Sequence, residues 1–177
     1  TNQLFYKERK TTTPIFRLEY RRKNAQAINP SSFSVDAEGN PDYWKLGAEW
    51  MQRISFEKKG RGLDVRVYAG KMGVISTDSF PFSKGYIANP GIRVLASSGA
   101  DDYTLEQIQP CRSSETGLFS KNRNVRDAGL RIALPYNQFT GFNYSTDWAA
   151  SIQLTSHLPL PVPIQVYADL AMFANAK

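Results

Sequence analysis

Cysteine and histidine are nearly absent: Cys111 and His157 are the single representatives of each among 177 residues. With one of each, the chain cannot build a closed zinc site from His and Cys, a disulfide framework or a thioredoxin-like cysteine pair. No resident cofactor is expected. Cys111, between Pro110 and Arg112, would need a nearby base to act as a nucleophile, so it reads as an ordinary loop thiol. His157 reads as a polar residue at a strand end before a proline-rich turn. Long apolar runs are missing too. The least charged stretch, Leu158 to Phe173, carries Pro159, Pro161 and Pro163, so no membrane-spanning helix is expected. Nothing near Thr1 combines a basic start, an apolar stretch and a small-residue cleavage site, and the chain reads as mature, excised or intracellular. A sustained helical period is also lacking; only Asp101 to Gln109 offers one short turn of helix. None of these absences touches a membrane β-barrel, whose strands need only alternate apolar and polar residues.

What is present is a period of two. From Trp44, every second residue gives Trp44, Leu46, Ala48, Trp50, Gln52, Ile54 and Phe56, against Lys45, Gly47, Glu49, Met51, Arg53, Ser55 and Glu57. Phe16, Leu18 and Tyr20 oppose Arg17, Glu19 and Arg21 in the same way, and Leu63, Val65, Val67 and Ala69 oppose Asp64, Arg66 and Tyr68. Side chains on a pleated backbone point to opposite faces in turn, so these are strands with one apolar and one charged face. Leu130 to Leu134, Trp148 to Leu154 and Ile164 to Met172 continue the pattern, giving six expected strands. Turn chemistry separates them at residues 37–42, 58–62 and 159–163. The expected fold is all-β, an antiparallel meander of long hairpins, with residues 1–177 as one β domain or a fragment of a larger barrel. Residues 73–127, rich in Ser, Gly, Asn and charge, form an expected irregular excursion.

The hairpin turned by residues 58–62 has two registers open to it. If Phe56 faces Leu63, Arg53 opposes Arg66; if Ile54 faces Leu63, Arg53 opposes Asp64. The apolar face is the same either way, so electrostatics or a bulge has to choose.

Two architectures use this alternation. In a soluble β-sandwich the apolar faces meet in a core and the charged faces meet water; in a membrane barrel the apolar faces meet lipid and the charged faces line the interior. Fourteen residues of nearly unbroken alternation from Trp44 to Glu57 exceed the usual strand of ~5–6 residues and favour the barrel. Six strands, however, are fewer than the minimum of about eight for a closed bacterial barrel. The candidate interior is a charge ladder of Arg17, Glu19, Arg21, Lys45, Glu49, Arg53, Asp64 and Arg66. Both signs are present, so the ladder can neutralise itself across neighbouring strands.

Other clusters read more plainly. Asp36, Glu38, Asn40 and Asp42 place oxygen ligands at alternate positions around Gly39, faintly like a calcium loop but without its full spacing or its terminal Glu, and a solvated hairpin loop is expected. Asp101, Asp102 and Glu106 form a second acidic group with no partner placed for glycosidase chemistry. Basic clusters occur at Lys7, Arg9 and Lys10, at Arg21, Arg22 and Lys23, and at Lys58, Lys59 and Arg61. The last two sit where strands end, and a net charge of +6 suits contact with anionic lipid headgroups. No RNA-binding motif or recognition helix accompanies that charge, so nucleic acid is not the expected partner.

The run Arg61 to Lys71 (RGLDVRVYAGK), the pair Asp102-Tyr103, Arg112-Ser113 with Gly117, Trp148-Ala149-Ala150 before Pro159, and the strand Val166-Tyr167-Ala168-Asp169 resemble the C-terminal β-rich region of large bacterial zinc aminopeptidase-like (gluzincin) proteins. The resemblance spans roughly residues 60 to 170. It implies a non-catalytic outer-membrane-type β-barrel region that anchors or partners a peptidase-like domain, located in the bacterial outer membrane. The family's His-Glu-x-x-His motif does not transfer, because His157 is followed by Leu158; peptidase activity is not expected within this chain. The alternative is a soluble β-sandwich, periplasmic or secreted, binding a protein or carbohydrate ligand through the 73–127 excursion with Tyr86, Tyr103 and Phe119.

Overall fold

Period-two alternation is realised as antiparallel sheet over most of the described residues. In the computed structural model of the chain, residues 14–25, 28–56, 61–75, 90–95, 126–131, 144–157 and 165–175 are described. They form eight strands: β1 (Phe16–Asn24), β2 (Ser31–Gly39), β3 (Tyr43–Ser55), β4 (Gly62–Val74), β5 (Ile92–Arg93), β6 (Tyr144–Ser145), β7 (Trp148–His157) and β8 (Gln165–Phe173). Six of them make one sheet in the order β1-β2-β3-β4-β7-β8, every neighbour antiparallel, and β5 pairs with β6. The chain is all-β, an antiparallel meander of long hairpins. Among the described residues the sheet is open, with β1 and β8 at its edges.

The β3–β4 hairpin adopts the register in which Ile54 opposes Leu63 and Arg53 opposes Asp64. Opposite charges therefore face each other where the other register would have set Arg53 against Arg66. Following directly opposed residues across the sheet fixes its two faces. One carries rows such as Tyr20, Val35, Ala48, Ala69, Ala150 and Met172; the other carries rows such as Arg21, Ser34, Glu49, Tyr68, Ser151 and Ala171.

Burial is inverted relative to a water-soluble sheet. Leu18 is 75% exposed and Leu170 65%, whereas Lys45 is 1% exposed and Glu38 3%. The small apolar core, Tyr43, Tyr68, Met72, Ile92, Ala128 and Ala149, lies on the charged face. It forms because residues 90–95 and 126–131 pack there, joined to each other by Gly129 N–H to Arg93 O at 3.2 Å and Leu130 N–H to Val94 O at 2.8 Å. Asp127, at φ 55°, and Gly129, at φ 40°, make the left-handed bend that turns this segment; a short polar side chain tolerates that region better than most.

Several expectations change. β2 was not expected as a strand: its apolar set is only Phe33, Val35 and Ala37, diluted by serines. The turn expected at 37–42 narrows to 40–42, where Asn40 Oδ1 accepts hydrogen bonds from the Asp42 and Tyr43 N–H groups at 2.8 and 2.9 Å. The excursion expected from residue 73 starts later, because Gly73 and Val74 belong to β4. It also sends residues 90–95 and Arg126 and Asp127 back onto the sheet. Leu130, expected to open a strand to Leu134, makes an isolated parallel bridge with Leu95; residues 132–134 lie outside the described ones, as does the helical turn expected at 101–109.

Candidate functional site

All the ladder residues, Arg17, Glu19, Arg21, Lys45, Glu49, Arg53, Asp64 and Arg66, lie on the charged face. Their pairing is specific. Arg66 donates from Nε to Glu49 Oε2 at 2.7 Å and also pairs with it through Nη2. Arg53 Nε lies 3.7 Å from Asp64 Oδ1, and Glu19 is flanked by Arg17 at 3.9 Å and by Arg21. Lys45 finds a partner outside the ladder: its Nζ lies 3.8 Å from Asp127 Oδ2.

The packed segment is tied to the sheet by polar contacts at both ends. Arg66 Nη2 donates to Asp127 O at 2.8 Å, and Gln153 Nε2 donates to Ala128 O and Gly129 O at 3.0 and 2.7 Å. Arg126 lies 3.6 Å from Glu38, whose other carboxylate oxygen accepts the Tyr43 hydroxyl at 2.7 Å. Arg131 grips Asp169 through its backbone N–H at 2.7 Å and its guanidinium, donates to Thr155 Oγ1 at 2.6 Å, and stacks 4.8 Å from the Tyr167 ring centre. Charge-assisted, forked bonds of this kind fix orientation as well as adding energy. Beyond the segment, a cavity of about 720 Å³ opens on the same face, lined by Arg53, Asp64, Arg66, Arg131, Gln153 and Thr155 among others.

Asp127 is the centre of the arrangement. Burial pushes its carboxyl up, but the Lys45 and Arg126 charges, the Arg93 N–H donated at 3.0 Å and the Arg93 charge outweigh burial and hold it below the ordinary carboxylate range. A depressed folded-state pKa gives stability that is present above the unfolded value, about 4, and is lost as pH falls through the folded value. Hydrogen exchange at the Arg93 amide is therefore expected to stay slow down to about pH 4 and to accelerate, beyond the intrinsic rate change, only below it.

Two glycines opposite each other, Gly47 and Gly70, leave room on this face for larger neighbours. A Cβ added at Gly47 would lie 2.7 Å from Asp36 Oδ1, and one at Gly70 would overlap the Tyr68 hydroxyl. That hydroxyl is buried and has no hydrogen-bond partner among the described residues. Tyr68→Phe is accordingly expected to leave the denaturation midpoint unchanged or raise it, whereas losing a bonded hydroxyl costs about 1 kcal/mol.

The remaining candidates resolve differently. The solvated hairpin loop expected at Asp36, Glu38, Asn40 and Asp42 is corrected: Asp36 and Glu38 are strand residues, Glu38, Asn40 and Asp42 are buried, Glu38 is engaged by Tyr43 and Arg126, and Asn40 caps the turn. No group of His, Cys, Asp or Glu among the described residues could hold a metal ion. His157 closes β7 with Nε2 at 2.7 Å from Asp64 Oδ2 and Nδ1 at 3.3 Å from Gln165 Nε2. Cys111, Asp101, Asp102, Glu106, Tyr86, Tyr103, Phe119, Lys7, Arg9, Lys10, Lys58 and Lys59 lie outside the described residues. Sequence reasoning missed Asp127 and Arg126, which sit in the excursion without periodicity to flag them; Arg131, Gln153 and Asp169 were visible only as alternate members of expected strands. No protein-family model, curated protein or solved structure matches the chain.

Proposed function

We propose that this chain forms part of an outer-membrane-type β-barrel, non-catalytic in itself, whose apolar face meets lipid and whose charged face lines an interior narrowed by residues 90–95 and 126–131. The observation that carries the reading is the inverted burial: Glu38, Lys45 and Asp127 are buried while large apolar side chains of β1, β2, β3, β7 and β8 are exposed. In a sandwich the covering layer belongs on the apolar face; among the described residues it lies on the charged one. Dimensions agree with a bilayer. From Trp44 to Ile54, ten steps of about 3.4 Å give roughly 34 Å along β3, or about 25 Å along the normal at a tilt near 40–45°, the height of a barrel's apolar band. Trp44, Trp148 and Phe16 stand at one end of that band, where aromatic residues favour the interface.

Closure takes at least about eight strands, so strands in addition to these six are required. On the resemblance of the runs at 61–71, 148–150 and 166–169 to a peptidase-associated β-region, the partner we propose for such a barrel is a peptidase-like domain. The test of the membrane reading is solution behaviour. The chain is expected to be a folded, monodisperse particle in detergent micelles and to aggregate when detergent is withdrawn. A folded monomer sedimenting alone in detergent-free buffer would overturn it.

A further inference from the structure

On β1 and β2 the apolar face stops short of where β3 and β4 carry it, to Ile54 and Leu63. Successive rows across β1, β2 and β3 read Tyr20-Val35-Ala48, then Arg22-Phe33-Trp50, then Asn24-Ser31-Gln52. Arg22 is thus a cation on the apolar face itself, directly opposite Phe33, in the last row before β1 and β2 turn polar on that face. These residues line a hollow of about 150 Å³ formed by Arg22, Asn24, Ser31, Ser32, Phe33 and Trp50. Arg21 and Lys23 flank it in sequence, residues 21–31 contain no acidic side chain, and Arg61 enters β4 at the same end of the sheet. The other cation on this face, Lys71, stands at the opposite end and is neutralised by Asp147 at 3.2 Å.

We propose that the Arg22 hollow binds the phosphate of an anionic lipid headgroup. The inference rests on the membrane reading above and adds a lipid preference and a place for it. Arginine offers a fork that matches phosphate oxygens. Asn24 and Ser31 supply further polar groups beside Arg22, and Phe33 and Trp50 provide an aromatic surface for the first acyl carbons. An arginine near an anionic membrane surface is expected to favour such a lipid about fivefold over a neutral one.

The test uses the full chain folded into vesicles, with Trp44→Phe and Trp148→Phe leaving Trp50 as the single tryptophan. A small fraction of lipid brominated in its acyl chains is added, either phosphatidylglycerol or phosphatidylcholine. The expected result is about fivefold stronger quenching of Trp50 by the anionic lipid at equal mole fraction. That preference is expected to fall at high salt, disappear in Arg22→Gln and survive in Arg22→Lys. Equal quenching by the two lipids, or a preference that Arg22→Gln retains, overturns the headgroup site while leaving the membrane reading in place. No quenching by either lipid overturns both.

Discussion

Replacing Ile152 with arginine is expected to destabilise the protein folded in lipid by about 2–4 kcal/mol, the cost of a cation at the midplane of a barrel's outer surface. Ile152 sits midway along the apolar residues of β7, between Val67 and Leu170, and is already 46% exposed. On a surface facing water the same change would fall within about 0.5 kcal/mol, because it breaks no core and strands no buried group. The same strand supplies a depth control. Ser156, on the same face near the end of β7, is expected to accept arginine at a cost of at most about 1 kcal/mol, as positions near the interface do. Denaturant titration of both variants in vesicles reads the difference. Equal, small effects at 152 and 156 would mean that no hydrocarbon covers this face.

That comparison isolates what the alternation alone could not decide. The strands were legible because period two survives any solvent: Trp44 to Phe56 alternates whether its apolar side meets lipid or a second sheet. The register of the β3–β4 hairpin was legible only as a choice between Arg53 facing Arg66 and Arg53 facing Asp64, and opposite charges face each other in the fold. β2 was hidden because serine neither marks a face nor forbids one. The contents of the charged face were the least legible part. Lys45 could be placed on that face from its parity, but its partner Asp127 stands 82 positions later in an aperiodic stretch, and nothing local to either residue announces the pairing. Non-local ionic contacts made by irregular backbone leave no period to read. The ladder residues do share one face, and within it Arg17 and Arg21 pair with Glu19, Arg53 with Asp64 and Arg66 with Glu49.

Asp127→Asn is expected to cost about 3–5 kcal/mol, because it takes a facing carboxylate away from a buried ammonium. The asparagine preserves size and tolerates the left-handed backbone at this position, so the effect reports charge. Lys45, 1% exposed, would keep a desolvated ammonium with its facing carboxylate gone, and Arg126 would lose the same neighbour. Pairing the change with Lys45→Met removes the buried ammonium as well and fills its place with an apolar chain of similar length. The double variant is therefore expected to recover most of the loss, since apolar replacement of a buried ion pair is often neutral or better. A double-mutant cycle on denaturation midpoints measures this coupling. Additive losses would mean that Lys45 reaches solvent or another anion when Asp127 is neutral. Recovery would identify the Lys45–Asp127 contact as the latch holding residues 126–131 on the sheet. The same variants would then separate latch from scaffold: proteolysis within the 126–131 segment is expected to rise in Asp127→Asn while the β3–β4 hairpin, bonded along thirteen residues of each strand, stays protected.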